Sequence, residues 1–228
     1  MTMTDANPHD ALLDAALPHV AFDGWSQVTF DAAVRDAGVA PALATGLFPR
    51  GGVDLALAYH ARGDALMRKR IAGADLTGMR FRDKVTHAVR WRIEAASNRE
   101  FVRRGATLFA LPRWAPVGAR AIWGTADAIW TALGDTSEDI NWYTKRATLS
   151  AVYSSTVLFW LGDDSPGHAA TWAFLDRRIE DVMRFEKAKA TLRENKLASA
   201  LMAGPNRLLA GVRPPPARRG YPGQEGTR

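Results

Sequence analysis

The amino-acid sequence predicts an all-α fold. Apolar residues recur at helical spacing along nearly the whole chain, and no stretch alternates apolar with polar residues as a half-buried strand does. No Asn-Gly hairpin turn joins two apolar runs. The 228 residues suit one compact body with a sizeable core, and the lack of cysteine excludes disulfides, zinc ribbons and thiol nucleophiles.

Ten helices are expected in chain order. Their approximate ranges are 8–20, 28–37, 40–47, 52–71, 81–96, 98–110, 114–133, 137–161, 166–189 and 190–203. Polar residues 135–138 supply N-cap oxygens before the eighth helix, and Ser165 with Pro166 suits the cap and first turn of the ninth. Pro205 ends the tenth because it lacks an N–H and clashes with the preceding turn.

Charge divides the chain unevenly. Residues 184–228 hold 10 Lys and Arg against 3 Asp and Glu, whereas the other 183 residues hold 20 against 21. The net charge of +6 is therefore a property of the C-terminal end. A second, weaker basic concentration at 62–104 is typical of solvated helix faces. A basic end suits nucleic acid, anionic lipid or an acidic partner, and composition alone does not choose among them.

The N-terminal stretch does not look like a targeting segment. The first 34 residues contain five Asp and neither Lys nor Arg, which is atypical of secretory and transit peptides. The longest apolar runs fall short of the ~20 residues that a spanning helix needs. We therefore expect a cytoplasmic protein from a reducing compartment.

Residues 30–55 form a helix-turn-helix pattern. Ala33 and Ala37 permit close helix approach, and Gly38 suits the left-handed turn that follows a helix. The next helix repeats Val39, Leu43 and Leu47 at helical spacing, which predicts that these residues form its apolar face. The pattern resembles the N-terminal part of TetR-type regulators, and an ordinary short helical hairpin is the alternative.

The same helix is poorly equipped to read DNA. Between Asp36 and Pro49 there is no Lys, Arg, Asn, Gln or Ser to contact base edges or phosphates. The positions expected to be exposed on it are Ala40, Pro41, Ala42, Ala44, Thr45 and Gly46. We therefore expect no nucleic-acid partner.

The helix expected over 137–161 has two apolar faces. One face carries Ile140, Thr144, Ala147, Ala151, Ser154, Leu158 and Leu161, and the opposite face carries Trp142, Leu149, Tyr153 and Trp160. Such a helix is either a buried core helix or covers the core with one face and binds a partner or ligand with the other. Lys145 and Arg146 beside Trp142 predict that this end reaches water.

Several motifs together resemble one family. They are Asn141–Arg146 (Asn-Trp-Tyr-Thr-Lys-Arg), Leu158–Asp163, Thr171–Arg178, Ala21–Trp25 and Leu47–Gly52. Over roughly residues 10–190 the chain is similar to the auxiliary ubiquinone (coenzyme Q) biosynthesis family of lipid-binding proteins with a TetR-like fold. The resemblance implies a TetR-like helical bundle that binds isoprenoid quinone intermediates or other lipids and presents them to a di-iron type quinone hydroxylase.

The resemblance also implies surfaces that bind a partner protein, the membrane and a second copy of the chain. Asn141, Trp142, Tyr143 and Arg146 correspond to the patch that faces the hydroxylase, and an amphipathic C-terminal helix brings the protein to the inner face of the membrane. TetR-type proteins usually dimerise through their late helices, so a homodimer is expected as well. This reading divides the chain into a helix-turn-helix-like region (1–50), a lipid-binding body (51–189), a membrane-associating segment (190–212) and a disordered tail (213–228).

The sequence contains residues that could line a lipid-binding cavity. The stretch 108–133 carries more apolar bulk than one helix face needs, and Gly105, Pro112, Pro116 and Gly118 are expected to break it into short pieces. The expected lining residues are Leu108, Phe109, Trp114, Ile122, Trp123, Val157 and Leu158. A filled helical core that uses the same residues is the alternative, and the resemblance favours the chamber.

The segment after residue 190 has the composition of an interfacial helix. Its apolar residues are Leu197, Leu201, Met202, Leu208 and Leu209, and its cations include Lys196 and Arg207. Apolar residues in such a helix dip between lipids while cations meet anionic headgroups. Packing of this segment against the body is the alternative.

Catalytic motifs are absent from the sequence. The five histidines are scattered without metal-ligand spacing, and no phosphate loop, dinucleotide fingerprint or nucleophile elbow occurs. We therefore expect a non-catalytic protein without metal or cofactor that carries a bound isoprenoid quinone or phospholipid. A ligand-responsive TetR-type transcription regulator is the alternative function.

Overall fold

The computed structural model describes residues 7–137 and 140–194, and within them it contains nine α-helices, one 3₁₀ turn and no strand. The helices are α1 (Pro8–Asp23), α2 (Gln27–Ala37), α3 (Pro41–Leu47), α4 (Gly52–Gly73), α5 (Phe81–Glu94), α6 (Arg99–Ala110), α7 (Ala115–Ala132), α8 (Ile140–Leu161) and α9 (Ala169–Glu194), with the 3₁₀ turn at Pro166–His168. The predicted all-α class is confirmed.

Local capping explains where the early helices begin and end. Asn7 accepts a hydrogen bond from the backbone N–H of His9 at the start of α1, and Ser26 accepts one from Thr29 at the start of α2. Gly38 ends α2 in the left-handed conformation (φ 62°, ψ 23°), as the turn pattern predicts.

The start of α9 differs from the expectation. Gly167 and His168 have positive φ angles of 61° and 57°, so the chain cannot continue from Pro166 into an α-helix, and α9 begins only at Ala169. Asp163 caps the new helix by accepting hydrogen bonds from the backbone N–H (2.9 Å) and hydroxyl (2.5 Å) of Thr171. These bonds and those from Ser165 hold the pKa of Asp163 well below its usual range.

Two apolar clusters form the core, and α4 contributes to both. The N-terminal cluster is built around Leu12, Leu13, Val20, Trp25, Phe30, Phe48 and Leu55. The body cluster includes Met67, Val85, Val89, Ile93, Ile129, Leu149, Tyr153, Trp160 and Leu175. Because α4 runs from one cluster into the other, the helix-turn-helix region is packed directly onto the body.

The predicted apolar face of α3 is wrong. Leu43 and Leu47 are 48% and 37% exposed, whereas Ala44 and Phe48 are fully or almost fully buried. Phe48 fills the N-terminal cluster and stacks on His9, with ring centroids 4.6 Å apart. Burial of this large ring, four residues after Ala44, sets the rotation of the short helix and turns both leucines outward.

The breaks expected at Gly105, Pro116 and Gly118 are wrong, whereas the break expected at Pro112 is confirmed. Gly105 and Gly118 lie inside α6 and α7, and the only interruption between these helices is the short turn 111–114. A Cβ at position 118 would stand 2.6 Å from the Cβ of Phe109, so glycine is needed there for α6 and α7 to approach each other.

The C-terminal end of the described chain also differs from the prediction. α9 continues to Glu194, so the predicted break between a helix ending at 189 and another beginning at 190 is wrong. The predicted membrane residues lie outside the described residues. They are Lys196, Leu197, Leu201, Met202, Arg207, Leu208 and Leu209.

Candidate functional site

Three aromatic rings cluster where α7 meets the first turn of α8. We call Trp123, Trp142 and Tyr143 the aromatic patch. The ring of Trp142 meets that of Tyr143 edge-on at 4.8 Å, and Trp123 lies 6.0 Å and 6.4 Å from the two. All three residues are half-buried, so each ring is held by its neighbours while part of it faces solvent. Anchored aromatic rings of this kind are typical of protein contact surfaces.

Arg146 supports the aromatic patch from below. Its guanidinium lies 4.0 Å from the centroid of the Trp142 ring, within the range of a cation–π contact. Its Nε donates to Asp127 (2.6 Å) and one terminal nitrogen donates to Asp135 (3.0 Å). The Arg146 side chain is only 3% exposed, so Arg146 itself does not reach water, although Trp142 and Lys145 at the same end of α8 are partly exposed.

Asp135 connects Arg146 to the neighbouring cation. Its carboxylate also accepts from Lys145 Nζ (2.7 Å) and from the hydroxyl of Ser137 (2.8 Å). Burial opposes the negative charge, but the hydrogen bonds from Lys145, Ser137 and Arg146 outweigh it and lower the pKa of Asp135 to about 2. The carboxylate is therefore ionised at every physiological pH and fixes the start of α8 against the end of α7.

A cavity of about 380 Å³ lies among α4, α5, α6, α7 and α8. Its walls are mostly apolar and include Trp25, Ile93, Phe101, Val102, Phe109, Ile122, Val157 and Trp160. Exposed residues mark its opening between α6, α7 and α8, namely Ala110, Ala115, Ala119 and Leu158. The volume and the apolar lining fall within the range of small-molecule sites.

The deep end of this cavity is polar. His60 and Arg92 line it, and the guanidinium of Arg92 is held by Asp64 at 2.5 Å and by the backbone carbonyl of His60 at 3.0 Å. Tyr153 lies under Arg92, with the guanidinium 5.6 Å from its ring centroid. Burial, and then the charge of Arg92, lower the pKa of His60 to about 4, so its imidazole is neutral.

Two further depressions lie outside this cavity. An open one of about 550 Å³ between α4, α5 and α7 has Arg68, Lys84 and Asp127 among its lining residues. A smaller one of about 300 Å³ lies between α5, α8 and α9 and includes Asn141 and Lys145.

Part of this chain is similar in sequence to a known protein family. The COQ9 family model matches residues 115–186, which contain α7, α8 and most of α9. The chain is 32% identical over 183 residues to "Ubiquinone biosynthesis protein COQ9, mitochondrial" of Drosophila melanogaster, covering 77% of this chain and 55% of that protein. This chain is similar to COQ9 proteins. The resemblance to the auxiliary ubiquinone-biosynthesis family is thereby confirmed.

Other COQ9 proteins match over a similar share of the chain. The human protein is 29% identical over 183 residues (75% of this chain, 56% of that protein). The probable coq9 protein of Dictyostelium discoideum is 28% identical over 192 residues (80% and 62%). This chain thus spans little more than half the length of the COQ9 proteins that it matches.

The fold also matches a solved structure. The TetR transcriptional regulator from Nitrosomonas europaea superposes with a TM-score of 0.62 and 21% sequence identity, covering 75% of this chain and 95% of that one. This match confirms the predicted TetR-like helical bundle and says nothing more about function.

The cavity brings together only part of the predicted lipid-binding set. Phe109, Ile122, Val157 and Leu158 line the cavity. The other three predicted residues lie elsewhere. Leu108 packs against the N-terminal cluster, Trp123 belongs to the aromatic patch, and Trp114 stands at the N-cap of α7 with its Nε1 buried without a hydrogen-bond partner.

The predicted partner-binding set is brought together in space. Asn141, Trp142 and Tyr143 are half-buried in the first turn of α8, and Arg146 lies beneath Trp142. Trp123 joins these residues across the helix–helix contact, which the sequence pattern does not indicate because it lies 19 positions before Trp142.

Sequence reasoning missed the polar end of the cavity. A signal was present in the four-residue spacing of His60 and Asp64, which places both on one face of α4. That spacing alone does not reveal a polar site, because the third member, Arg92, comes from α5 and donates a hydrogen bond to Asp64. Gly63 was missed for the same reason, since a Cβ there would lie 2.6 Å from a terminal nitrogen of Arg92.

The described ranges lack both a metal-binding cluster and a membrane-spanning helix. Residues 7–137 and 140–194 contain no group of three His, Cys, Asp or Glu side chains placed to hold a metal ion. Within the same ranges, no helix combines the length and apolar character that crossing a bilayer requires.

Proposed function

We propose that this protein is a non-catalytic accessory factor of ubiquinone biosynthesis that binds an isoprenoid quinone intermediate and presents it to a ring-modifying hydroxylase at the membrane. The observation that carries the proposal is the apolar cavity among α4–α8, which opens to solvent beside Leu158 within a COQ9-like segment. Apolar walls favour isoprenoid binding because each buried CH₂ contributes about 0.8 kcal/mol. The bound lipid is the expected cargo, and no further cofactor is part of the proposal.

The arrangement of the aromatic patch supports delivery to a partner. Tyr143 in the patch and Tyr153 in the cavity wall are ten residues apart on α8, which corresponds to about 15 Å along the helix. Ile122 in the cavity wall directly precedes Trp123 in the patch. A hydroxylase, of the di-iron type or an equivalent, bound at the patch would therefore stand close to the lipid.

Membrane association and dimerisation complete the proposal. The basic, leucine-containing segment between Lys196 and Leu209 suits a peripheral position on the inner face of the membrane, where each cation near an anionic surface contributes about 1 kcal/mol. A homodimer remains part of the proposal through the TetR-like fold. Charge reversal at Lys196 and Arg207 is expected to weaken binding to anionic vesicles, and unchanged binding would remove this segment from the proposal.

The chemistry of α3 argues against the alternative of a transcription regulator. Its exposed residues are Ala, Pro, Thr, Gly and Leu, which offer little to read base edges or grip phosphates. Sequence-specific DNA binding in an electrophoretic mobility-shift assay, abolished by added lipid, would restore that alternative.

Mass spectrometry of an organic extract tests the proposed function directly. Protein purified without detergent is expected to carry a stoichiometric isoprenoid quinone or related lipid. An empty extract from well-folded protein, together with no binding of added isoprenoid quinone, would contradict the lipid-binding role.

A further inference from the structure

We propose that the depression between α4, α5 and α7 is a second membrane contact, which holds the headgroup of an anionic phospholipid in a bilayer surface. The depression shares no lining residue with the apolar cavity, and its residues are not those of the C-terminal segment between Lys196 and Leu209. The inference rests on the proposed membrane association, to which it adds a class of lipid and a contact surface on the body of the protein.

The depression combines an apolar lining with two cations. Its volume is about 550 Å³, and its apolar lining includes Ile71, Leu76 and Leu133. Arg68 joins the lining from α4 and Lys84 joins it from α5, so the two cations come from neighbouring helices. A concave surface of this composition suits a phospholipid headgroup, because the cations can bind the phosphate while the apolar residues contact the glycerol region.

The two cations lack a carboxylate partner in the folded chain. Within residues 7–137 and 140–194, neither Arg68 nor Lys84 forms an ion pair or a side-chain hydrogen bond. The carboxylate of Asp127 also lines the depression, but its Oδ1 accepts a hydrogen bond from Nε of Arg146 at 2.6 Å. An anionic headgroup would therefore supply the counter-charge that the described residues do not provide.

The first turn of α5, next to Lys84, extends the basic surface. Arg80 and Arg82 share one carboxylate, that of Asp83, at 2.8 Å and 3.1 Å, so this group of three keeps a net positive charge. Phe81 stands between the two arginines in sequence and is 47% exposed. Exposed aromatic residues flanked by cations are typical of surfaces that lie at the boundary between headgroups and acyl chains.

Charge complementarity favours an anionic bilayer as the occupant. Residues 68–84 contain six Lys and Arg against two Asp, and residues 184–228 contain 10 against 3 Asp and Glu. Cations near an anionic bilayer strengthen binding, and salt weakens their effect. Two basic surfaces on one chain that contact the same bilayer bind it more tightly than either surface alone.

A local fluorescent probe tests the contact, because the chain has no cysteine of its own. Ala72→Cys places one thiol at an exposed position in the lining, where an environment-sensitive nitrobenzoxadiazole label can be attached to the full-length protein. Vesicles that contain phosphatidylglycerol should increase its fluorescence and shift the emission to the blue, whereas vesicles of phosphatidylcholine alone should not. The same label on Thr45→Cys, at an exposed position of α3, should not respond to either kind of vesicle.

A charge-reversal variant tests the two cations. Arg68→Glu combined with Lys84→Glu breaks no ion pair, and it should reduce the affinity of the full-length protein for phosphatidylglycerol vesicles at least about tenfold in co-sedimentation. Arg35→Glu combined with Arg177→Glu is the matched control, since it changes the net charge equally at exposed positions of α2 and α9. The control should have a much smaller effect on the affinity.

The outcomes separate this contact from the proposed membrane association. If the protein binds phosphatidylglycerol vesicles while the label at position 72 does not respond, or if the control weakens binding as much as the Arg68 and Lys84 variant, the second contact is overturned and the C-terminal segment remains the membrane contact. If the unmodified protein does not bind these vesicles, both proposals fail.

Soluble anions test the commitment to a bilayer. Poly-glutamate and inorganic phosphate should not produce the blue shift at position 72, because neither supplies an apolar environment. A response to poly-glutamate without one to vesicles would overturn the inference in favour of an acidic protein partner. The labelled protein carries both native cations, so misfolding of the charge-reversal variant would leave this test intact.

Discussion

The guanidinium of Arg146 lies 4.0 Å from the ring centroid of Trp142 while it is bonded to Asp127 and Asp135. One buried cation thus joins α7, the loop after it and the half-buried ring of Trp142 at the start of α8. Without this cation the ring of Trp142 would lose its cation–π contact. Asp135, whose side chain is 3% exposed, would lose one of its two cationic partners.

Arg146→Gln is expected to lower the free energy of unfolding by about 3 kcal/mol, because breaking a buried ion pair leaves a poorly compensated carboxylate. Urea denaturation measures this change, and loss of near-ultraviolet circular dichroism reports loosening of Trp142. Arg184→Gln is the matched control. Its pair with Glu180 is 71% and 50% exposed, so the change should stay below about 0.5 kcal/mol. Equal effects of the two substitutions would contradict the role assigned to Arg146.

The aromatic patch yields a prediction about partner binding. Trp142→Ala should weaken hydroxylase binding at least about tenfold, since aromatic anchors dominate contact surfaces, and it should reduce ubiquinone yield in complemented cells. Co-purification with the hydroxylase and quinone extraction measure these effects. Phe22→Ala is the control, because Phe22 is 82% exposed on α1 and lies outside the patch. Normal hydroxylase binding by a folded Trp142→Ala protein would remove the patch from the proposal.

Gly63 has a specific packing role that a substitution can isolate. Gly63→Ala should destabilise the protein by about 1–3 kcal/mol, because the new methyl group collides with the guanidinium of Arg92, which Asp64 and the backbone carbonyl of His60 hold in place. Gly124→Ala is a matched helical control with open space at its Cβ, so it should be neutral or stabilise by about 0.4–1 kcal/mol. Thermal denaturation distinguishes the two, and a stabilised Gly63→Ala protein would contradict the close approach of Arg92 to α4.

The helices were predictable from sequence because their signals are local. Gly38 ends α2 as its conformational freedom indicates, and the Trp142–Tyr143 pair lies at the predicted surface. The face of α3 was not predictable, since an alternative apolar repeat through Leu43 and Leu47 fits helical spacing equally well. Only the burial of Phe48 in the N-terminal cluster decides between the two faces.

The polar end of the cavity was hidden for a different reason. Arg92 and Asp64 are 28 positions apart, and each taken alone has the appearance of an ordinary charged residue on a solvated helix face. Their burial becomes evident only when α4 and α5 are packed side by side. The same holds for Arg146, whose position beside Lys145 suggested exposure although Asp127 and Asp135 draw it inward.

The neutral state of His60 predicts a pH dependence of stability. Its pKa is about 4 in the folded protein against an ordinary value of 6.5, so the unfolded chain binds more protons between these values. The free energy of unfolding should therefore fall as pH falls from 6.5 towards 4, by up to about 3 kcal/mol from this residue. His60→Gln should flatten the upper part of this slope in urea titrations. A slope unchanged by the substitution would show that His60 is not the responsible group.

Filling the cavity separates ligand binding from folding. Ala106→Phe places an aromatic ring at a half-buried position of the cavity wall, where it occupies space otherwise available to an isoprenoid tail. Lipid recovered in organic extracts should fall at least about tenfold, while the melting temperature stays level or rises because apolar surface is buried. Ala151→Phe adds the same ring at an exposed position of α8 outside the cavity and should leave lipid content unchanged. If Ala106→Phe folds and retains a full complement of lipid, the ligand is bound elsewhere, and the depression between α5, α8 and α9 becomes the next candidate.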